Sequence, residues 1–407
     1  MEKLCRRYGN IMSVALGPDD WIVLSGLEEV KRFGMASEAI SRPLMKNLFS
    51  LYCYGPDQGL GVIFADGHIW QNQRKFMAKA LKEMSVGNRP FLDHITDEME
   101  LFTRHVRGKC GDNQFDGKNF FDVATLNIIW RLATGHRFDY DDKATRDIIE
   151  NVEAFTMEPL LGIVGTIRHA RYMPVLGNVY KRVKDHMDAF KDKIQKQMDL
   201  VDDDNCYVSR FDREKASETF TSEQLVCSLL DFFTGGSGTV AKTLSFCLLY
   251  MLHFPEWQEK IRKGQEVEAF IREVQRLCSI LPISPPRMVT KDFEFFGYQL
   301  KKGQKVQMNL YAMHRNPSHW GADADHFRPS RFLDAEGQLK VDEWLQPYGY
   351  GKRKCLGEKV ADNTIRVFLV HLVRQFEFSC IGSLPDTETV GGLTLMPKDF
   401  TVQVRPI

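Results

Sequence analysis

Residues 222–254 read as one helix that is apolar on nearly every side. Thr221 and Gln224 stand at capping spacing before it, and Pro255 closes it. At 1.5 Å per residue it spans roughly 50 Å, about the width of a molecule this size. A helix without a polar face has to be wrapped by others, so the chain must build a thick, mainly helical body around it. The middle reads Thr234-Gly235-Gly236-Ser237-Gly238-Thr239. Three interior glycines cost about 3 kcal/mol against alanine. Two explanations stand: a tight helix crossing, or a flat group that approaches the backbone closely.

The rest of the pattern fits such a body. Ile11–Leu16 and residues 21–24 flank Gly17-Pro18-Asp19-Asp20 and predict a β-hairpin. Ser25 and Glu28 at capping-box spacing predict the start of a helix. Residues 66–280 read as helical, with breaks near 108–119, 139–143, 174–177 and 202–217. After Pro282 the chain turns to loops and strands, with strands expected at 293–300, 305–310 and 393–404. One late helix keeps three-or-four spacing through Val360, Ala361, Ile365, Phe368, Leu369, Leu372, Val373 and Phe376. No repeat and no linker divides the 407 residues. The expectation is a single mainly α domain over 1–407 with a smaller β part.

Charge narrows the function. Lys+Arg and Asp+Glu each number 54, a balance that argues against a nucleic-acid binder, which needs a basic excess. The nine cysteines form no Cys-x-x-Cys pair, which leaves zinc ribbons and dithiol redox motifs unsupported and suggests a reducing compartment. There is no apolar run of 18 residues and no signal-peptide pattern after Met1, so the chain as given is expected to be soluble or peripheral.

The most informative segment is Tyr348-Gly349-Tyr350-Gly351-Lys352-Arg353-Lys354-Cys355-Leu356-Gly357-Glu358. Glycines flank a cationic run, and Cys355 stands just before the late helix. Helix N-terminus and cations both lower a cysteine pKa. Such a cysteine is a nucleophile, a metal ligand or an inert core residue. A nucleophile wants a histidine base, from His314, His319 or His371. A thiolate ligand to haem iron needs no second ligand from the chain.

This loop resembles the haem-binding signature of the cytochromes P-450. Gly351, Arg353, Cys355 and Gly357 match it, and Tyr348 replaces the usual Phe, which puts a hydroxyl near the sulfur. Glu273-Val274-Gln275-Arg276 resembles the family's Glu-x-x-Arg element, and Pro329-Ser330-Arg331-Phe332 its Pro-x-Arg-Phe element. The resemblance implies a buried ion network of Glu273, Arg276 and Arg331. Without it, Glu273 and Arg276 read as a solvated pair worth about 0.3–0.5 kcal/mol. Trp70 and Arg74 match a Trp-x-x-x-Arg element, and the resemblance places them with Arg287 and Arg353 against the haem propionates. Ala312-Met313-His314-Arg315-Asn316-Pro317 is similar to a further family segment, and 126–130 and 135–142 resemble arthropod members.

The resemblance, which covers essentially the whole chain, implies the P-450 fold, with the long central helix over haem b and Cys355 ligating the iron. The implied activity is monooxygenation of a lipophilic small molecule, by hydroxylation or epoxidation. Electrons come from NADPH through a flavoprotein reductase, with cytochrome b5 as a further donor. Thr239 would relay protons beside a groove opened by Gly235 and Gly236. Phe232, Phe233, Ile283 and Leu393 are pocket candidates, with core packing as the alternative. The implied location is the cytosolic face of the endoplasmic reticulum membrane. Residues 159–165, followed by Arg168, His169 and Arg171, suit a surface that dips into lipid, or else a buried connection between helices.

Three departures from the family stand out. The chain begins without the membrane anchor and proline-rich hinge of its relatives. Only twelve residues separate Lys260 from Glu273. Gly238 occupies the place of an acid before Thr239. Two rival functions therefore remain: a haem-thiolate isomerase or dehydratase that acts on peroxides without a reductase, and a non-catalytic haem or lipophile binder. The substrate class stays open among juvenoids, steroids and xenobiotics.

Overall fold

The central helix opens with half of the expected capping box: the Thr221 side chain accepts from Gln224 N at 3.2 Å, while the Gln224 side chain pairs with the Gly61 backbone instead of reaching back. The computed structural model describes residues 2–16, 19–55, 57–85, 89–110, 114–199, 201, 203–214 and 218–407. In it the expected single helix is two: Ser222–Gly236 and Gly238–His253, with a turn at Ser237. The cause is local. Ser237 Oγ donates to Phe233 O at 2.7 Å and Thr239 Oγ1 to Gly235 O at 2.8 Å, and such bonds back to the i−4 carbonyl bend helices. The glycines add no side chain to resist the bend.

Other helices wrap this broken axis. Asp122–Thr134, Pro174–Met198, Val267–Cys278 and Glu358–Gln375 all pack on it, and its Leu, Phe and Cys side chains are sealed in one large core. The glycines divide between the two explanations. A Cβ at Gly236 would lie 2.9 Å from Ile129 Cδ1, so Gly236 serves a tight crossing with the Asp122–Thr134 helix. A Cβ at Gly235 or Gly238 would meet nothing within 4 Å.

Several boundaries differ from the sequence expectation. The helix expected from Ser25 begins instead at Leu27 with Gly26 as N-cap and no side-chain cap; Ser25 is buried, its N–H on Asn10 O. Asp19 and Asp20 belong to the second strand of the hairpin rather than its turn, and residues 17–18 lie outside the described residues. Pro174 opens the Pro174–Met198 helix instead of breaking one, because a proline in the first turn forgoes an N–H that has no partner there. Two expected breaks contain short elements, the strand Gln114–Asp116 and the helix Tyr207–Asp212.

The β part forms small sheets at the edge of the helical body. Ile11–Leu16, Asp19–Leu24, Lys305–Met308 and Arg287–Met288 make one sheet in that order, with Asp19–Leu24 parallel to Lys305–Met308. Residues 293–300 are a hairpin, Phe293–Phe295 and Tyr298–Leu300, whose turn residues Phe296 and Gly297 both have positive φ. Residues 393–404 divide into Leu395–Pro397 and Thr401–Pro406, which join different sheets. Among the described residues no helix is long and apolar enough to cross a membrane.

Candidate functional site

The cysteine loop is held to the hairpin side of the molecule by a backbone approach that only glycine permits. Gly351 has φ +78°, and a Cβ there would lie 2.0 Å from Gly34 O in the Leu27–Met35 helix. Cys355 N donates to Tyr348 O at 3.0 Å and closes the loop, just before the Glu358–Gln375 helix with Gly357 as N-cap.

Cys355 is solvent-accessible, yet burial pushes its thiol pKa up, against the Gly357 N–H, Arg74 and Lys354, which pull it down. Accessibility and desolvation coincide only in a recess. The sequence expectation of a lowered pKa thus fails in the polypeptide alone, because burial outweighs the cations. None of the three histidines serves this sulfur as a base. His314 is engaged by Ser279 Oγ and by Gln346 N, and His319 by Asp342. His371 is about three and a half turns along the next helix, roughly 20 Å from its start. The Tyr348 hydroxyl donates to Asp362 and accepts from Gln275 Nε2 at 3.0 Å. It is therefore committed to two helices rather than to the sulfur.

Beside this recess converge four guanidinium groups. Arg74 donates to Lys354 O at 2.6 Å, Arg287 to Tyr350 O at 3.0 Å, and Arg353 to Ile40 O at 3.0 Å and Ala65 O at 2.9 Å. Arg42 donates to Ile63 O and to Pro285 O and Pro286 O. Burial and mutual repulsion lower their pKa values, to about 8 for Arg353, about 9 for Arg42 and about 10 for Arg287. Asp66 pairs with Arg353 at 3.3 Å and leaves most of this charge uncompensated. Trp70, one turn before Arg74, lies under the Arg353 guanidinium at 4.0 Å, and its buried Nε1 has no hydrogen-bond partner.

These features pass a test of fit. A buried cluster of cations with too few anions suits a group that brings two carboxylates. A recessed thiol beside it suits a metal at the centre of that group. Haem b carries both. Arg42 was not singled out in the sequence, where a lone arginine between Ser41 and Pro43 gives no periodic signal.

The expected ion network forms. Glu273 accepts from Arg276 Nε and Nη2, each at 2.8 Å, from Arg331 Nε at 3.1 Å and from Arg328 N at 2.8 Å. All three side chains are sealed. The short segment before it closes as a tight turn: Gly264 and Glu266 have positive φ, Gln265 N donates to Lys260 O, and Lys260 pairs with Glu266 at 3.1 Å. The brevity therefore leaves Glu273 in place.

Not every pocket candidate faces space. Phe233 is fully buried and stacks on Trp130 at 4.5 Å, and Phe232 packs edge-on against Tyr207 at 4.7 Å. Both pack as core side chains, the alternative that the sequence left open for them. Ile283 is half-buried and pairs with Asn309 through an isolated bridge. Leu393 is exposed, with its N–H on Thr156 O. Its neighbour Thr394 lines a cavity that also borders Gly238, Thr239 and Met157.

Comparison with known proteins agrees with this geometry. The family model Cytochrome P450 matches residues 1–404. Human cytochrome P450 2J2 is 30% identical, over 92% of this chain and 80% of its own length. Farnesoate epoxidase of Bombyx mori is 26% identical over 98% of this chain and 87% of its own. Rat cytochrome P450 2B2 is 28% identical over 98% and 88% respectively.

Proposed function

The chain belongs to the cytochrome P450 family of haem-dependent oxidoreductases, and on that premise we propose that it is a monooxygenase acting on a lipophilic small molecule, organised as a single catalytic domain. Cys355 ligates the haem iron, and Arg42, Arg74, Arg287 and Arg353 with Trp70 hold the propionates. The observation that carries this is the accessible thiol in a desolvated recess beside four buried guanidinium groups. Haem, when bound, supplies the activation of dioxygen. One oxygen atom enters the substrate, and the other leaves as water with two electrons and two protons.

The chain's own residues bind, orient and exclude water. Gly238 leaves open space beside the helix break, in a cavity walled by Leu126, Ile149, Val152 and Met157 and by the charged Asp122, Glu153 and Lys242. Its apolar part supports an apolar substrate. The name of the silkworm relative makes a farnesoate-like terpenoid the first substrate to test. NADPH supplies electrons through a flavoprotein reductase, with cytochrome b5 as a second donor. The enzyme works on the cytosolic face of the endoplasmic reticulum. There Leu44, Ile163, Tyr172, Met173 and Val175, all exposed apolar side chains, touch the lipid surface.

The test is a carbon monoxide difference spectrum of the reduced protein. Wild type should show the thiolate-type band, and Cys355→Ala should lose it. A mutant that kept the band would remove Cys355 from the iron. Rapid hydroperoxide turnover without reductase, and none of NADPH with it, would replace the monooxygenase by a peroxide isomerase.

A further inference from the structure

One turn before its glycines, the central helix carries a buried carboxyl whose contacts call for more protons than its neighbours hold. Asp231 Oδ1 lies 2.8 Å from the Tyr52 hydroxyl, at the end of the Lys46–Tyr52 helix. The same hydroxyl lies 2.9 Å from Thr234 Oγ1, which donates to Leu230 O at 2.7 Å. All three side chains are buried, and Thr234 lines the cavity beside the helix break. Asp231 Oδ2 accepts from Val62 N and, at 3.0 Å, from Ile63 N. Gly61 makes that approach possible: its φ is +75°, and a Cβ there would lie 2.3 Å from Asp231 Oδ2.

Counting hydrogens decides the state of this carboxyl. Three oxygen–oxygen contacts run in series, Asp231 to Tyr52, Tyr52 to Thr234 and Thr234 to Leu230. Tyr52 and Thr234 bring one proton each, so an ionised Asp231 leaves one contact with lone pairs facing lone pairs. A proton on Oδ1 fills the series: Asp231 donates to Tyr52, Tyr52 to Thr234 and Thr234 to Leu230 O. The division between the two oxygens agrees, since Oδ2 meets only N–H donors and Oδ1 only a hydroxyl, which can accept. Burial favours the same state. It raises the Asp231 pKa to about 7, against the Val62 and Ile63 N–H groups, Tyr52 and Arg42, which lower it. Tyr207 and Cys227 also feel this carboxyl and are themselves neutral, Tyr207 through burial, Cys227 through its contact with the Cys53 thiol and burial. Lys191 is committed elsewhere, to Leu51 O and Cys53 O, each at 3.1 Å.

We propose that Asp231 works as a neutral carboxyl which, acting through Tyr52, fixes the Thr234 hydroxyl at the wall of the substrate cavity. The inference rests on the reading of that cavity as the substrate's, and it makes Asp231 a positioning residue. In this state every hydroxyl of the series has one donor and one acceptor partner, and the wall has a single arrangement. As the pH rises, Asp231 loses its proton to solvent and Tyr52 turns its own proton to the carboxylate. Thr234 then gives up either Tyr52 or Leu230 O, because one proton cannot serve both. The wall is no longer fixed, and a substrate that packs against Thr234 loses its ordered seat.

The experiment uses the full haem-loaded chain and farnesol, an apolar probe that carries no charge between pH 6 and pH 8. Its affinity is read from the shift it produces in the haem absorbance. If only the neutral form binds, the apparent Kd rises by the inverse of that form's fraction, roughly tenfold from pH 6 to pH 8. Asp231→Asn keeps an acceptor for Val62 and Ile63 and a donor for Tyr52. It should bind as wild type does at pH 6 and stay flat to pH 8, whereas Asp231→Leu should bind weakly at both. A readout that a merely structural Asp231 would not move is the infrared band of protonated carboxyl groups. A component present at pH 6 should vanish in Asp231→Asn, and in wild type it should fade as the pH passes about 7. Tyr52→Phe, a smaller change, should keep that component, move it to higher frequency and abolish the pH dependence of binding. A wild type without the thiolate-type spectrum, or with it but without farnesol binding, would sink the substrate reading. A normal spectrum with no carboxyl component that Asp231→Asn removes, or equal farnesol affinity at both pH values in wild type, would overturn the role of Asp231 alone.

Discussion

Glu273→Ala is the most severe single change that the structure offers away from the cysteine loop. The carboxylate accepts four hydrogen bonds, three from guanidinium nitrogens and one from Arg328 N. Alanine removes them all and leaves Arg276 charged in a place water does not enter, whereas Arg331 keeps the Asp323 carboxylate at 3.0 Å. Each keeps carbonyl partners, Arg276 on His314 O and Ala324 O, Arg331 on Trp320 O and Asp323 O. Carbonyls satisfy N–H geometry but do not neutralise charge. Breaking a buried pair costs about 3–5 kcal/mol, against a total stability of about 5–15 kcal/mol. At 1.4 kcal/mol per factor of ten, the folding equilibrium shifts by roughly 10²–10⁴. Glu273→Gln retains the shape and one acceptor and should lose about half as much. Urea unfolding followed by circular dichroism, with haem absorbance per polypeptide in parallel, measures both. The double variant Glu273→Ala/Arg276→Met should be less damaged than the sum of its parts, because it removes the stranded charge. Unchanged midpoints and full haem loading in Glu273→Ala would refute the buried network.

Three further outcomes follow from the geometry. His314 is buried, with Gln346 N donating to its Nε2, and burial together with Arg276 and Arg315 lowers its pKa to about 3. Between pH 6.5 and about 3 the unfolded chain binds a proton that the folded chain refuses, so stability present at neutral pH is lost as pH falls, by up to ~1.4 kcal/mol per pH unit; urea midpoints at pH 7 and pH 5 should differ less in His314→Asn than in wild type. Gly351→Ala should cost several kcal/mol and impair haem loading, since its Cβ would collide with Gly34 O; a fully loaded variant with an unchanged melting temperature would contradict the close approach. Liposome flotation should recover wild type but much less Ile163→Asp/Val175→Asp, both exposed positions, and equal recovery would take this face off the membrane.

What could be read in the sequence was whatever one short window contains. The cysteine loop, the cap at Thr221 and the late amphipathic helix each depend on residues within a few positions of one another, and all three stand in the structure. The ion network spans 58 positions, from Glu273 to Arg331, and was legible only because the family motifs tie its two ends together. The break at Ser237 was legible only as a weakness, the three glycines between Thr234 and Thr239, since the hydroxyl bonds that cause it are a matter of rotamer. Pro174 misled because a proline that opens a helix and one that ends it look alike without the neighbouring geometry. Lys242 did give a signal, as a cation within an otherwise apolar helix, but its partners Asp122 and Glu153 lie about 120 and 89 positions away.

The energetics of the site join these threads. Gly235 and Gly238 each weaken the helix by about 1 kcal/mol relative to alanine, and with nothing within 4 Å of either missing Cβ the chain gains no packing in return. The guanidinium groups of Arg42, Arg287 and Arg353 are desolvated against one another, and their lowered pKa values record the strain of that arrangement. The polypeptide alone therefore carries a weak helix centre and, separately, a repulsive cluster of guanidinium groups. A group with two carboxylates would relieve the second by compensating the arginines. Binding to the folded state alone then adds RT ln(1 + [L]/Kd) to its stability, so the residues that make this site poor as a core are the ones that couple folding to haem.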